Sequence, residues 1–122
     1  MLQLRDLDSV PPIMEQISTD ASPVVLINLF QVDEADVPAL IKAWEIDATW
    51  MKKQSGYIST QLHRAVGRDT AFLNYAIWDS VEDFRNAFAH PDFQATLAGY
   101  PNSVVASPHL FTKVAVPNLC TE

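Results

Sequence analysis

The sequence predicts an α+β fold with one antiparallel sheet, in the ferredoxin-like order β-α-β-β-α-β. Three observations predict it: an apolar run of strand length at Val24 to Gln31, a helical apolar stripe from Asp36 to Lys53, and then two alternating runs, a second helix and a last strand. The 122 residues are enough for one core and one domain. That domain is expected over residues 24–116, after an N-terminal arm (1–23) and before a C-terminal tail (117–122).

The arm carries Pro11, Pro12 and Pro23, and a short helix is expected near Ile13 to Ile17, after the proline pair. Val24 to Gln31 (VVLINLFQ) is almost continuously apolar, as in a strand buried on both faces. In the next segment Val37, Leu40, Ile41, Trp44, Ala48 and Met51 form one helical stripe. Asp36 stands at its N-cap, Pro38 in its first turn, and Lys52 and Lys53 at its C-terminal end. Tyr57 to Val66 and Thr70 to Trp78 alternate around Gly67-Arg68-Asp69 and read as a hairpin. Asp79 or Ser80 can cap a second helix, Ser80 and Asp83 having capping-box spacing. It carries Phe84, Ala87 and Phe88, breaks at His90-Pro91, and resumes around Phe93 and Leu97 until Gly99. Pro101 to Pro108 reads as loop and His109 to Val116 as the last strand.

Strand residues alternate faces, so each strand divides into two sets. Val25, Ile27, Leu29, Leu73, Tyr75 and Ile77 fall on one face. Asn28, Phe30, Phe72, Asn74 and Trp78 fall on the other, and simple alternation places Gln61 and His63 with them. Both faces are apolar, yet two helices cover only one. A symmetric homodimer packed sheet to sheet covers the other; an arm folded over that face is the alternative. The second set mixes amides and a histidine into an oily layer, where an unpaired amide costs about 1–3 kcal/mol. Either an internal network or a ligand pocket completes them.

Other function classes find no support. A net charge of −7 opposes nucleic acid. No apolar run reaches the ~20 residues of a membrane span, and Met1 to Val10 lacks a basic n-region followed by an apolar stretch, so a soluble cytoplasmic protein is expected. A single cysteine, Cys120, rules out an internal disulfide. His63, His90 and His109 lack metal-ligand spacing, so no metal is expected. With three glycines there is no phosphate-cradling loop, and no serine has a nucleophile-elbow context. His90 reads as a helix-end residue. Asp33, Glu34, Asp36, Glu45 and Asp47 read as turn or solvated-helix residues. Trp50 lies off the core stripe and is left for the partner or the arm.

The stretch Thr70-Ala71-Phe72-Leu73-Asn74-Tyr75-Ala76-Ile77-Trp78-Asp79-Ser80, with Glu82, Phe84, Phe88 and the His90-Pro91 break, resembles the antibiotic biosynthesis monooxygenase family. The resemblance implies a dimeric α/β barrel. It also implies kinship with cofactor-free enzymes of aromatic polyketide tailoring, which oxidise anthrone- or naphthol-type rings to quinones with dioxygen alone. By that resemblance Asn74, Trp78 and His63 are catalytic; Asn28, Gln61, Phe30 and Phe72, which alternation places on the same face, are expected to bind substrate together with Phe84 and Phe88. The partners are then a small aromatic molecule and O2, with no cofactor. Two departures stand out: Phe84 replaces a tyrosine of those enzymes, and their arginine has no counterpart around Ala95 to Leu97. Asn28 matches an asparagine of the haem-degrading branch, but Ala87 and Leu97 replace its tryptophan and haem-ligating histidine, which argues against haem. A non-oxidative isomerase, cyclase or decarboxylase, and a non-catalytic binding dimer, are the competing readings.

Overall fold

A five-stranded mixed sheet in the order β1-β5-β2-β4-β3 forms one layer, with helices packed on one of its faces. The computed structural model describes residues 1–67 and 70–120. The strands are β1 (Gln3–Leu4), β2 (Val24–Gln31), β3 (Tyr57–Arg64), β4 (Ala71–Trp78) and β5 (Val105–Phe111); the helices are α1 (Ile13–Gln16), α2 (Val37–Met51), α3 (Val81–Phe88) and α4 (Pro91–Thr96). From β2 to β5 this is the β-α-β-β-α-β order, with the second helix divided at His90-Pro91. Arg68 and Asp69 of the expected hairpin turn lie outside the described residues, as do residues 121–122 of the tail.

The arm holds one strand more than the sequence suggested. Gln3 and Arg5 donate backbone bonds to Val104 and Ala106, so β1 lies parallel against β5. Beyond β1, Pro108 brings no N–H to the free side of β5. At Leu110 the Gln16 side chain takes over, accepting from the backbone N–H at 2.9 Å and donating to the C=O at 2.8 Å. Strand pairing, proline and a bidentate amide together close an edge that would otherwise template another chain.

The last strand also differs from expectation. It runs over Val105–Phe111, taking in residues read as loop and stopping before Val114 and Val116. Pro108 does not break the strand, because its nitrogen faces away from β2 and no ladder bond is lost.

The α2 stripe holds with one exception, Ile41, which is 39% exposed while Ala43 is buried in its place. Asp36 occupies the N-cap position without capping. Its carboxylate instead accepts from the Ser103 hydroxyl at 2.7 Å, tying the start of α2 to the approach to β5. Lys52 and Lys53 lie just past the last turn. Ser80 caps α3 as expected, accepting from the Asp83 N–H. His90 is the N-cap of α4, its Nδ1 accepting from the Asp92 N–H. Trp50 is neither free nor against the arm; its ring meets His90 and Phe93 at 5.2 and 6.1 Å.

Register fixes the faces. Asn28 pairs with Asn74, Phe30 with Phe72, Leu26 with Ala76 and Val24 with Trp78, all toward the helices. The other face carries Val25, Ile27, Leu73 and Ile77 half-buried and Leu29, Tyr75 and Phe111 exposed. The arm reaches only its β5 border, where the Leu7 N–H donates to Nε2 of buried His109 at 3.0 Å. No other described residue covers the centre of that face.

Candidate functional site

A cavity of about 60 Å³ lies between the sheet and the helices. Its floor is β2 and β4, which bring Asn28, Phe30, Asn74 and Trp78 to one side. Its roof is α2, through Trp44, Asp47, Ala48 and Met51, at the i, i+3, i+4, i+7 spacing of one helical face. Phe84 and Phe88 of α3 and Phe93 of α4 close one wall. Leu2 and Leu4 of the arm contribute to another.

The aromatic wall is continuous. Trp78 is 1% exposed and meets Tyr57 and Phe84 edge-on, each at 5.7 Å. Phe84 stacks on Phe88 at 5.4 Å, and Phe88 meets Phe93 at 5.6 Å. Phe30 stacks on Tyr100 at 6.1 Å. Such rings pack flat, polarisable surfaces around the hollow.

Polar groups are few and convergent. The Asn74 amide oxygen accepts from the Thr60 hydroxyl at 2.5 Å, which fixes the amide and leaves its NH2 for the cavity. The Asn28 amide oxygen is buried with no hydrogen-bond partner. Asp47 accepts from the Tyr100 hydroxyl at 2.7 Å. Burial, only partly offset by that bond, pushes the Asp47 carboxyl up to about 6. Tyr100 is driven far above the usual phenol range by its own burial, then by the neighbouring carboxylate. No lysine, arginine or histidine lines the cavity among the described residues, and these residues include no cluster of three metal-ligating side chains.

Three expected site residues are not there. A β-bulge between Tyr57 and Ser59 inserts Ile58 as an unpaired residue. Past it, every β3 side chain changes face relative to simple alternation. Gln61 and His63 therefore pair with Tyr75 and Leu73 on the uncovered face and are exposed. Thr60 takes the place toward the cavity. Phe72 does face the helices and is buried, but the Arg64 guanidinium lies 4.9 Å from its ring centre and the ring does not reach the cavity. Asn28, Phe30, Asn74, Trp78, Phe84 and Phe88 are all in the wall.

Asp47, expected on the solvated face of the helix, faces the cavity instead. The signal was present in the spacing: Asp47 stands seven residues after Leu40 and four after Ala43, inside the apolar stripe. Tyr100 follows a short 3-10 turn (Leu97–Gly99) that no periodicity marks.

A model of the family described as antibiotic biosynthesis monooxygenase matches residues 23–99. The chain belongs to the antibiotic biosynthesis monooxygenase family. The match spans β2 to the turn before Tyr100, and so includes Asn28, Asp47, Asn74 and Trp78. The chain is 31% identical over 75 residues to deoxynogalonate monooxygenase of Streptomyces nogalater; the match covers 61% of this chain and 62% of that protein's length, just under two-thirds of it. The crystal structure of SnoaB, a cofactor-independent oxygenase from the same organism, superposes with a TM-score of 0.72 at 24% identity, covering 80% of this chain and 99% of that one. A candidate monooxygenase from Shewanella loihica PV-4 superposes with a TM-score of 0.66 at 33% identity, over 78% of this chain and 97% of its own. Family membership and the ferredoxin-like α+β fold agree with the expectation from sequence. No helix among the described residues is long and apolar enough to cross a membrane.

Proposed function

We propose that this family member is a cofactor-independent monooxygenase that oxidises a phenolic or anthrone-type ring, polyketide-like in shape, to a quinone with O2. The observation that carries the reading is the aromatic-walled cavity with two cross-strand amides in its floor, one of them holding a buried oxygen without a partner. Leaving that oxygen unpaired costs about 1–3 kcal/mol, which a ligand hydroxyl recovers. The chemistry needs no external reductant: a ring CH2 and O2 become a ring C=O and H2O, and the substrate supplies all the electrons. The protein binds the ring, favours its anion and excludes water. Asn74 and the Trp78 indole N–H donate to the developing oxyanion. Asn28 accepts from a substrate hydroxyl, and Phe30, Phe84 and Phe88 hold the ring faces.

The cavity is smaller than the ~150 Å³ of an engineered hollow that admits benzene. Three fused rings therefore enter only as the wall gives way, at Leu2 and Leu4 beside the two-residue β1 or at Phe88 and Phe93. The proposed assembly is a homodimer through the uncovered sheet face. The soluble, cytoplasmic setting belongs to the same proposal.

Oxygen uptake by metal-stripped protein with 1,8-dihydroxyanthrone tests the reading. One O2 consumed per quinone formed is expected, with a fall of tenfold or more in Asn74→Ala and Trp78→Phe. Uptake no faster than autoxidation, or unchanged in both variants, overturns it. A second reading, a non-oxidative isomerase, cyclase or decarboxylase, is favoured by one feature: a carboxylate in the cavity wall with no cation beside it. Turnover without oxygen uptake would select it.

A further inference from the structure

The Asp47 carboxylate has one protein partner, the Tyr100 hydroxyl, which it ties to α2. It makes no ion pair with a lysine, arginine or histidine among the described residues, and it stands where the α2 stripe would place an apolar side chain. Tyr100 engages its Oδ2, and Oδ1 has no protein partner among the described residues. Burying a carboxylate in this way is unfavourable and recurs where proton transfer is required.

We propose that Asp47 is a catalytic residue that takes the enolisable proton of the ring bound in this cavity, with Tyr100 as the positioning residue that fixes its carboxylate. The proposal rests on the ring-binding reading above and adds its missing base, because His63, the expected proton acceptor, faces away. In the step itself a ring C–H bond breaks and the proton goes to Asp47 Oδ1. The electron pair delocalises onto the ring carbonyl oxygen as an enolate. Asn74 and Trp78 then face a developing oxyanion, and the enolate is the electron-rich species that reacts with O2. A carboxyl titrating near 6 is mostly ionised at neutral pH, yet a stronger base than an exposed aspartate. The titratable groups lining the cavity with it are Tyr100, at the end of the 3-10 turn, and Tyr57 from β3. The sheet contributes neutral Asn28, Thr60 and Asn74, and α3 and α4 contribute phenylalanines.

The test is anaerobic. 1,8-dihydroxyanthrone is incubated with the full chain in D2O, and deuterium entering its CH2 is followed by mass spectrometry. Binding is followed in parallel by quenching of tryptophan fluorescence, since Trp44 and Trp78 line the cavity. Expected is exchange that rises through about pH 6 to a plateau, falls on the order of 10²-fold in Asp47→Asn with quenching retained, and returns in part in Asp47→Glu. Tyr100→Phe removes the donor to the ionised form, so its midpoint moves up in pH while exchange persists. A merely structural Tyr100 would not move that midpoint. Exchange at the wild-type rate in a ring-binding Asp47→Asn protein, or no catalysed exchange in the wild type, overturns the proposal. Exchange without oxygen uptake leaves the role of Asp47 standing and overturns the oxygenase. Oxygen uptake equal in wild type and Asp47→Asn does the reverse.

Discussion

Asp47→Asn is expected to stabilise the protein at neutral pH and to have little effect in acid. The carboxyl rises from its ordinary 3.8 to about 6 on folding because burial removes its water. Between these values the folded chain retains a proton that the unfolded chain has released. Stability therefore falls as pH rises from about 4 to about 6, and the whole penalty is present above that. At about 1.4 kcal/mol per tenfold change in proton affinity, the gap corresponds to on the order of 3 kcal/mol. Asparagine keeps an acceptor for the Tyr100 hydroxyl and carries no charge to desolvate, so it escapes the penalty. Urea denaturation of both proteins at pH 4, 5, 6 and 7.5 measures the difference directly. The stability gained by the variant should be near zero at pH 4 and grow to roughly 2–3 kcal/mol by pH 7.5, with little change in m-value. A difference that is flat with pH, or that favours the wild type more as pH rises, would refute a desolvated carboxylate at this position.

Two further outcomes follow from the backbone and the uncovered face. Gly56 has φ +85 and a Cβ there would run into the Asp83 side chain, which Ser80 holds at the start of α3. Gly56→Ala should cost about 2–4 kcal/mol from the left-handed backbone plus a disturbed cap, and a thermal melt unchanged within 2 °C or so would contradict it. Leu29 lies on the uncovered sheet face and is 37% exposed in the single subunit. Leu29→Glu should leave the subunit folded by circular dichroism and halve the mass seen in sedimentation velocity; a dimer of undiminished affinity would place the interface elsewhere.

The fold was legible wherever periodicity is strong. VVLINLFQ and the α2 stripe specify a buried strand and a one-sided helix without help from the rest of the chain, and the spacing of Ser80 and Asp83 marks the start of α3 to within a residue. The β5 segment was not legible, because Val105-Ala106-Ser107-Pro108 has weak strand propensity and a residue that usually ends one. It is a strand because β2 supplies a long partner on one side while the side that Pro108 leaves without a donor has no ladder to lose. The arm was legible only as a short helix. The two residues of β1 and the Gln16 amide acquire meaning only once the edge they cover exists.

The site shows how one residue redistributes chemistry. From Ser59 onward β3 alternates as read, but Ile58 is extra, so the reading is correct in period and inverted in face. The inversion removes an imidazole and an amide from the cavity and puts Thr60 there, whose hydroxyl can orient Asn74 but is far too weak an acid or base to move a proton at neutral pH. A cavity built from amides, an indole and a hydroxyl could bind an enolate but could not make one quickly. The basic group therefore has to come from the other layer, and the only ionisable side chains that line the cavity among the described residues are Asp47, Tyr57 and Tyr100. The Tyr100 hydroxyl is already donated to Asp47 and held above the usual phenol range, and the Tyr57 ring is packed edge-on against Trp78 at the start of β3. Asp47 is what remains, and it sits one turn before the end of α2, on the face that the helix packs over the cavity, whereas His63 stands near the end of a hairpin strand on the other face of the sheet.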